Sequence, residues 1–187
     1  MEYGLLGEKL GHSFSPQIHR DLAGYDYQLL PTPPEAVEDL FARRAFQGLN
    51  VTIPYKRTVM PLCDEIDPRA AAIGAVNTVV NRNGRLTGYN TDIDGFLYMA
   101  RRAGVDMAGK KVVILGSGGT SRTARAAAGE LGAREIITVS RHGEDNYQNL
   151  SRHADAQVLV NTTPVGMYPN WGQAPESLES FPALEGA

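Results

Sequence analysis

The 187-residue sequence predicts an α/β chain in two parts that divide near residue 104, a first domain over 1–103 and a second over 104–187. Up to Arg102, short apolar runs alternate with segments of helical periodicity, the pattern of a sheet flanked by helices. From Lys110 the style changes: a continuous apolar run at 112–115 leads straight into Gly116-Ser117-Gly118-Gly119-Thr120 and an alanine-rich segment. A buried parallel strand passes its chain to a helix in this way. Hydrophobic residues make up 42% and charged residues 21%, ordinary values for a soluble globular protein able to bury a real core.

Taken in order, residues 3–6 read as a strand. Ser15-Pro16 reads as a helix start, with serine as N-cap and proline at the first helical position; Gly24 suits its stop. Residues 25–30 return as a strand, and 35–44 place Val37, Leu40 and Phe41 on one helical face. A strand over 49–53 is followed by a helix around 55–62 and a short helix over 70–73 behind Pro68. Residues 76–82 and 85–89 flank Asn83-Gly84, the strongest short hairpin signal. Residues 93–102 are helical and Gly104 closes them. The second part reads as strands at 112–115, 135–139 and 157–160, with a helix over 121–131 stopped by Gly132.

Bulk properties exclude several classes. A formal net charge of −3 gives no basic field for nucleic acid. Arg43-Arg44 and Arg101-Arg102 sit at helix ends, where cations are favoured. Cys63 is the single cysteine, so no disulfide forms within the chain and a reducing compartment fits. Asp64 and Glu65 beside it discourage a thiolate, so its expected role is structural. The first residues are too short and too acidic for a signal peptide, and no apolar run spans a bilayer; the expectation is a cytoplasmic protein without a membrane partner. His12, His19, His142 and His153 show no metal-ligand spacing. His12 is placed to line a pocket, and Trp171 reads as a loop packing residue.

The chemistry concentrates in three short segments: Gly-Leu-Asn-Val-Thr-Ile-Pro-Tyr-Lys at 48–56, Gly-Ala-Val-Asn-Thr at 74–78 and Gly-Tyr-Asn-Thr-Asp at 88–92. The first and last end at Lys56 and Asp92, and a lysine beside a carboxylate supplies an acid/base for moving a proton to or from a hydroxyl. Taken singly, the bland readings are a surface lysine and a helix-capping aspartate. The glycines at 116–119 follow a buried strand and open a helix, which lets a diphosphate approach backbone N–H groups at the positive helix end. The third small position is Ser121. Roughly 20 residues on, an NAD site places Asp or Glu on the ribose; here the strand ends at Ser140-Arg141-His142, which suits a 2′-phosphate and so NADP. Glu144 and Asp145 follow closely and keep NAD open.

These segments together resemble the shikimate dehydrogenase family from residue 3 onward. Gly-Glu-Lys-Leu-Gly-His-Ser-Phe-Ser-Pro at 7–16 looks like its opening, and the three segments above match its substrate motifs in order and spacing. Residues 116–120 resemble its diphosphate loop, Ser140-Arg141 its adenosine-phosphate clamp, and Asn-Thr-Thr-Pro-Val-Gly-Met at 161–167, with Thr162, its turn after the third strand of the cofactor domain. The resemblance implies an N-terminal substrate-binding α/β domain followed by a Rossmann-like NADP-binding domain. It also implies NADP-dependent interconversion of shikimate and 3-dehydroshikimate in aromatic amino-acid biosynthesis. Residue by residue, it makes Lys56 the catalytic acid/base paired with Asp92. Ser13 and Ser15 become the carboxylate ligands, and Thr52, Asn77 and Asp92 the holders of ring hydroxyls, with Asn50 a further candidate. Gly116, Ser117, Gly118, Gly119, Thr120, Ser140, Arg141 and Thr162 become the cofactor-binding set.

Family members continue past the length of this chain, with more strands for the cofactor sheet and helices that return to the substrate domain. The expectation is therefore an incomplete cofactor domain and pocket, with one edge of strand 112–115 left open. A homodimer is the protein partner this reading allows. Two other functions stay open: a quinate-using, NAD-dependent relative, and a non-catalytic shikimate- or nucleotide-binding module.

Overall fold

The computed structural model describes residues 2–11, 13–167, 171–175 and 180–184, and His12 lies outside them. The chain separates into two compact units, Met1–Thr91 and Asp92–Ala187.

In the first unit, strands β1 (Tyr3–Gly7), β2 (Tyr27–Pro31), β3 (Gly48–Val51), β4 (Glu65–Ile66), β5 (Thr78–Arg82) and β6 (Arg85–Tyr89) form one sheet in the order β2-β1-β3-β5-β6-β4. β1 pairs in parallel with β2 and β3, and β5 turns antiparallel to β3 and β6. The helices are α1 (Ser15–Ala23), α2 (Val37–Arg43) and α3 (Pro68–Ile73). Side chains alternate across the pleat. Leu6, Leu49, Val51, Val79 and Leu86 therefore fall on one face, in a core closed by Val37, Phe41 and Tyr55. On the other face Tyr3, Leu5 and Asn50 share register positions with Tyr27, Leu29 and Thr78.

Local chemistry explains where the elements depart from the sequence reading. The expected helix over 55–62 is a run of turns ending in a 3-10 turn at Met60–Leu62. Pro61 lacks an N–H and its ring opposes the carbonyl four residues back, so a helix cannot pass through it. Ser15 does not cap α1 with its side chain; its own N–H donates to Ser13 Oγ at 3.2 Å. Gly24 ends the helix in the left-handed conformation, φ 66°. The hairpin reading holds, with Asn83 and Gly84 at φ 52° and 84°, the pair of positive values a type I′ turn requires. Arg44 is more than a solvated helix end. It grips Asp64 through two bonds of 2.6 and 2.8 Å and donates to the Gly84 carbonyl, fastening the hairpin to the entry of β4. That grip holds the Asp64 carboxyl below its usual range. Burial, with Asp64 adding to it, pushes the Cys63 thiol up to about 11, in keeping with a structural role.

The second unit holds α4 (Asp92–Arg102), β7 (Lys111–Leu115), α5 (Gly119–Glu130), β8 (Glu135–Val139) and β9 (Val158–Asn161). Helix α4 groups with this unit, whereas the sequence boundary at 103 set it with the first. Phe96 packs against the cluster of Met107, Val112, Ile114, Ala124 and Ala128. The expectation of an open edge on the first strand is corrected. The sheet order is β8-β7-β9, all parallel, and β9 pairs along β7 from Val112↔Val158 to Leu115↔Asn161. After β8 the chain crosses back over β7 rather than extending the sheet beyond β8, so β7 is central and every residue of it is buried. Lys111 at its start is buried and bonded to Asp155 at 2.7 Å. Arg125 of α5 donates to the Ile136 carbonyl on β8 at 2.8 Å. Among the described residues, no helix is long and apolar enough to cross a membrane.

Candidate active site

The first unit assembles its polar residues where β3 ends and β5 begins. The side chain of Tyr55 is buried, and its hydroxyl donates to the Thr32 carbonyl at 2.7 Å. This anchor fixes the turn that carries Lys56. The Lys56 carbonyl accepts the Val76 N–H at 2.8 Å, which ties that turn to the segment entering β5. Lys56 itself is half-buried. Thr52 stands against Gly7: a Cβ on Gly7 would lie 2.7 Å from the Thr52 methyl and 2.6 Å from Leu10. Glycine is needed at position 7 for Thr52 to stay where it is.

Asn50 and Asn77 belong to one hydrogen-bonded chain. Tyr27 Oη donates to Asn50 Oδ1 at 2.7 Å, and Asn50 Nδ2 donates to Thr78 Oγ1 at 3.2 Å. Thr78 Oγ1 donates to Asn77 Oδ1 at 3.1 Å. Thr91 closes the series, its backbone N–H donating to Asn77 Oδ1 at 2.8 Å while Asn77 Nδ2 donates to Thr91 Oγ1 at 3.0 Å. Asn77 is 8% exposed, so its amide depends on these partners. Tyr27 is buried and stacks on His19 with ring centroids 3.8 Å apart. Burial, with Tyr25 adding to it, raises the Tyr27 phenol well above its usual range, and the hydroxyl of Ser15 pulls the other way as a hydrogen-bond partner. The structure thus groups Ser15, Asn50 and Asn77 through Tyr27, Thr78 and Thr91. These last three were not among the sequence candidates. Ser13 joins through Ser15, and Thr52 and Lys56 occupy the adjoining strand end and turn.

In the second unit Asp92 opens α4, directly after Thr91. The glycine loop has the close approach the sequence expects. Gly116 sits at φ 108°, and a Cβ there would meet Thr162 Oγ1 at 2.8 Å. Thr162 sends both its N–H and its hydroxyl to the Leu115 carbonyl, at 2.9 and 2.7 Å. Gly118 is the N-cap of α5 and supplies no side-chain bond to the helix end. The first N–H groups of a helix have no intrahelical partner and attract an anion. No atom lies within 4 Å of where a Gly118 Cβ would stand. Ser121, in place of the third glycine, is buried beside Thr123 and Ala124, small enough for close helix–sheet packing. A cavity of about 510 Å³ lined by Thr120, Asn161, Thr162, Thr163 and Met167 adjoins this helix end. These features fit a dinucleotide diphosphate.

At the end of β8, Ser140 donates its N–H to the Asp145 carbonyl at 3.1 Å, and Arg141 is exposed. Asp145 is engaged elsewhere: its Oδ1 meets His153 Nε2 at 2.8 Å. One of the two acidic residues that keep NAD open, Asp145, is therefore held by a buried histidine, while Glu144 is exposed.

Residues 5–79 match the family model described as the shikimate dehydrogenase substrate binding domain. A shikimate dehydrogenase (NADP(+)) from Geobacillus sp. is 37% identical over 96% of this chain and 74% of its own length. Shikimate dehydrogenase 1 from Peptoclostridium difficile superposes with a TM-score of 0.86 at 38% identity, covering 96% of this chain and 74% of that one. The Thermus thermophilus enzyme in complex with NADP(H) and shikimate superposes with a TM-score of 0.84 at 33% identity, covering 97% and 75%. The chain spans about three quarters of the length of these relatives. With a substrate-domain match, this identity over most of both chains and a shared two-unit α/β fold, the chain belongs to the shikimate dehydrogenase family.

Proposed function

We propose that this chain is a shikimate dehydrogenase, an oxidoreductase that interconverts 3-dehydroshikimate and shikimate with NADPH and NADP in aromatic amino-acid biosynthesis. The observation that carries this reading is the polar chain Asn50–Thr78–Asn77–Thr91, in the same unit as the turn bearing Lys56, whose carbonyl accepts the Val76 N–H just before Asn77. Such a wall suits a small polyhydroxylated ring.

The bound cofactor supplies or accepts the hydride at the ring carbon. The protein handles the proton. In the reducing direction the Lys56 ammonium gives a proton to the oxygen that becomes the hydroxyl, and the lysine is reprotonated from solvent. In the oxidising direction the neutral amine takes the hydroxyl proton. A carboxylate in the role the resemblance gives Asp92 would favour the charged ammonium. Ser13 and Ser15 hold the ring carboxylate, and Thr52, Asn77 and Asp92 hold the hydroxyls, with Asn50 behind them. The N–H groups of Gly118, Gly119 and Thr120 would hold the diphosphate at the helix N-terminus, with Gly116, Ser117 and Thr162 shaping the loop. Ser140 and Arg141 would hold the 2′-phosphate. The functional division is a substrate domain over 1–103 and an NADP domain over 104–187.

The engagement of Asp145 by His153 takes up one of the two acidic candidates for a ribose contact, which supports NADP over the NAD-dependent, quinate-using alternative; Glu144 is the other. Exchange of Arg141 for Asp tests the clamp. Removing a charge-assisted phosphate contact and adding a repulsive carboxylate should raise the KM for NADP by about 30-fold or more, and that for NAD by roughly threefold or less. Steady-state kinetics with each cofactor, using shikimate and quinate in turn, read both preferences. Equal losses for the two cofactors would remove the clamp.

A further inference from the structure

The chain leaves β8 at Val139 and returns to the core at Leu150; both residues are buried in one cluster with Val113 and Leu115. Between them it closes a loop whose neck carries the candidate 2′-phosphate clamp. The Ser140 N–H donates to the Asp145 carbonyl at 3.1 Å. Gly143 lies against that closure: a Cβ on it would stand 2.8 Å from Ser140 Oγ and 3.0 Å from the Asp145 carbonyl oxygen. Asn146 Nδ2 donates to the Gly143 carbonyl at 3.2 Å, and Asn149 Nδ2 to that of Glu144 at 2.8 Å. These amide bonds set the inner shape of the loop. The side chain of Asp145 ties its neck to the core, with Oδ1 2.8 Å from His153 Nε2. A carboxylate oxygen only accepts, so Nε2 carries a hydrogen and donates it. His153 is the fixed member of the pair. It is 8% exposed, ends the 3-10 turn Leu150–His153, and its carbonyl accepts the Ala156 N–H at 2.9 Å. The Asp145 side chain is 28% exposed and stands on the loop.

We infer that His153 is a positioning residue for the 2′-phosphate end of the cofactor site, acting through Asp145. Drawing the carboxylate inward does two things. It seats the Asp145 carbonyl on the Ser140 N–H, which holds the turn that presents the exposed Arg141. It also keeps a negative charge from turning onto Arg141, four residues back, or towards a bound phosphate. Ser140 has its N–H committed within the loop and offers the phosphate its hydroxyl. The cofactor part of this inference rests on the clamp reading above; the loop part does not.

Two variants separate the bond from the space the ring fills. His153→Phe keeps an aromatic ring in the core and removes the donor. His153→Gln returns an amide N–H towards Asp145. The direct readout is exchange of the Ser140 amide hydrogen, followed by NMR on the full chain without ligand. It should quicken by about tenfold in His153→Phe, the size of one lost bond to a charged group, and return to within about threefold of the parent in His153→Gln. Calorimetric titration with adenosine 2′,5′-bisphosphate reads the clamp, with 5′-AMP as the ligand lacking the 2′-phosphate. In His153→Phe the bisphosphate should bind about tenfold more weakly, while 5′-AMP and shikimate stay within about twofold. If the parent binds the bisphosphate no better than 5′-AMP, the clamp reading fails and Ser140 exchange alone decides the role of His153. Unchanged Ser140 exchange in a folded His153→Phe protein overturns the inference. So does a His153→Gln protein that recovers the parent melting temperature but not the Ser140 protection.

Discussion

Lys56→Ala should lower kcat for shikimate oxidation by about 10³-fold, in the range general acid–base groups contribute, while the KM for shikimate changes by roughly threefold or less. The basis for expecting a kcat effect is the way the lysine is held. The Tyr55 hydroxyl on Thr32 and the Lys56 carbonyl on Val76 fix its backbone from two directions, and neither bond involves the side chain that is removed. The turn should keep its place in the variant. The substrate's hydroxyls and carboxylate are assigned to other side chains, so ground-state binding should survive. Lys56→Arg is an informative companion. It keeps the charge and much of the reach, but a guanidinium stays protonated throughout the working pH range. A variant that binds shikimate and does not turn it over would separate charge from proton transfer. Stopped-flow and steady-state measurements of NADPH formation, with melting curves for each variant, check the prediction. Unchanged kcat in a folded Lys56→Ala protein would remove the lysine from the chemistry.

The second large effect is expected at Gly116. Alanine there meets two obstacles at once. A φ of 108° lies outside the region an L side chain adopts readily, and the new methyl would sit 2.8 Å from Thr162 Oγ1. Thr162 cannot give way freely, because its hydroxyl and N–H are both committed to the Leu115 carbonyl. Backbone strain and overpacking together should cost about 2–4 kcal/mol, read as a lowered denaturation midpoint of the cofactor unit. NADP affinity should fall by at least roughly tenfold as the loop leaves the end of α5. Gly118→Ala offers the contrast. Its φ is −78° and no atom stands within 4 Å of the added carbon, so stability should hold, and any weakening of NADP would come from the methyl standing in the anion's place.

The parts of the fold legible in the sequence were those set by local chemistry. Asn83-Gly84 announced its hairpin because few other pairs adopt two successive positive φ values. Residues 112–120 announced the buried strand and the helix end that follows, because glycine and unbroken apolar runs carry that meaning locally. The proline at 61 is equally legible: it breaks the helix expected over 55–62. The two-residue strand β4 has too little sequence for a period to register, and it exists because the Leu86 and Gly88 carbonyls accept the N–H groups of Asp64 and Asp67. The place of β9 on the far side of β7 is a choice between two crossovers, which no residue pattern in the strand encodes.

The site divides in the same manner. Lys56, Asn77 and the glycine loop were found as residue types in motif order. Tyr27 was not, since it lies 23 positions from Asn50 and inside an aromatic strand where burial is the expected fate. Thr78 and Thr91 stood inside quoted motifs, yet their role depends on hydrogen-bond direction, which requires coordinates. The engagement of the acidic candidate Asp145 likewise depends on its partner His153, eight residues on, which no local pattern announces.

The central claim is that this chain oxidises shikimate with NADP. The measurement that tests it most directly is NADPH formation by the purified 187-residue protein from shikimate and NADP, run beside calorimetric titration of shikimate. The account predicts saturable turnover with NADP preferred to NAD and shikimate preferred to quinate, together with shikimate binding that survives in Lys56→Ala. Absence of both turnover and shikimate binding in a cooperatively folded protein would contradict it.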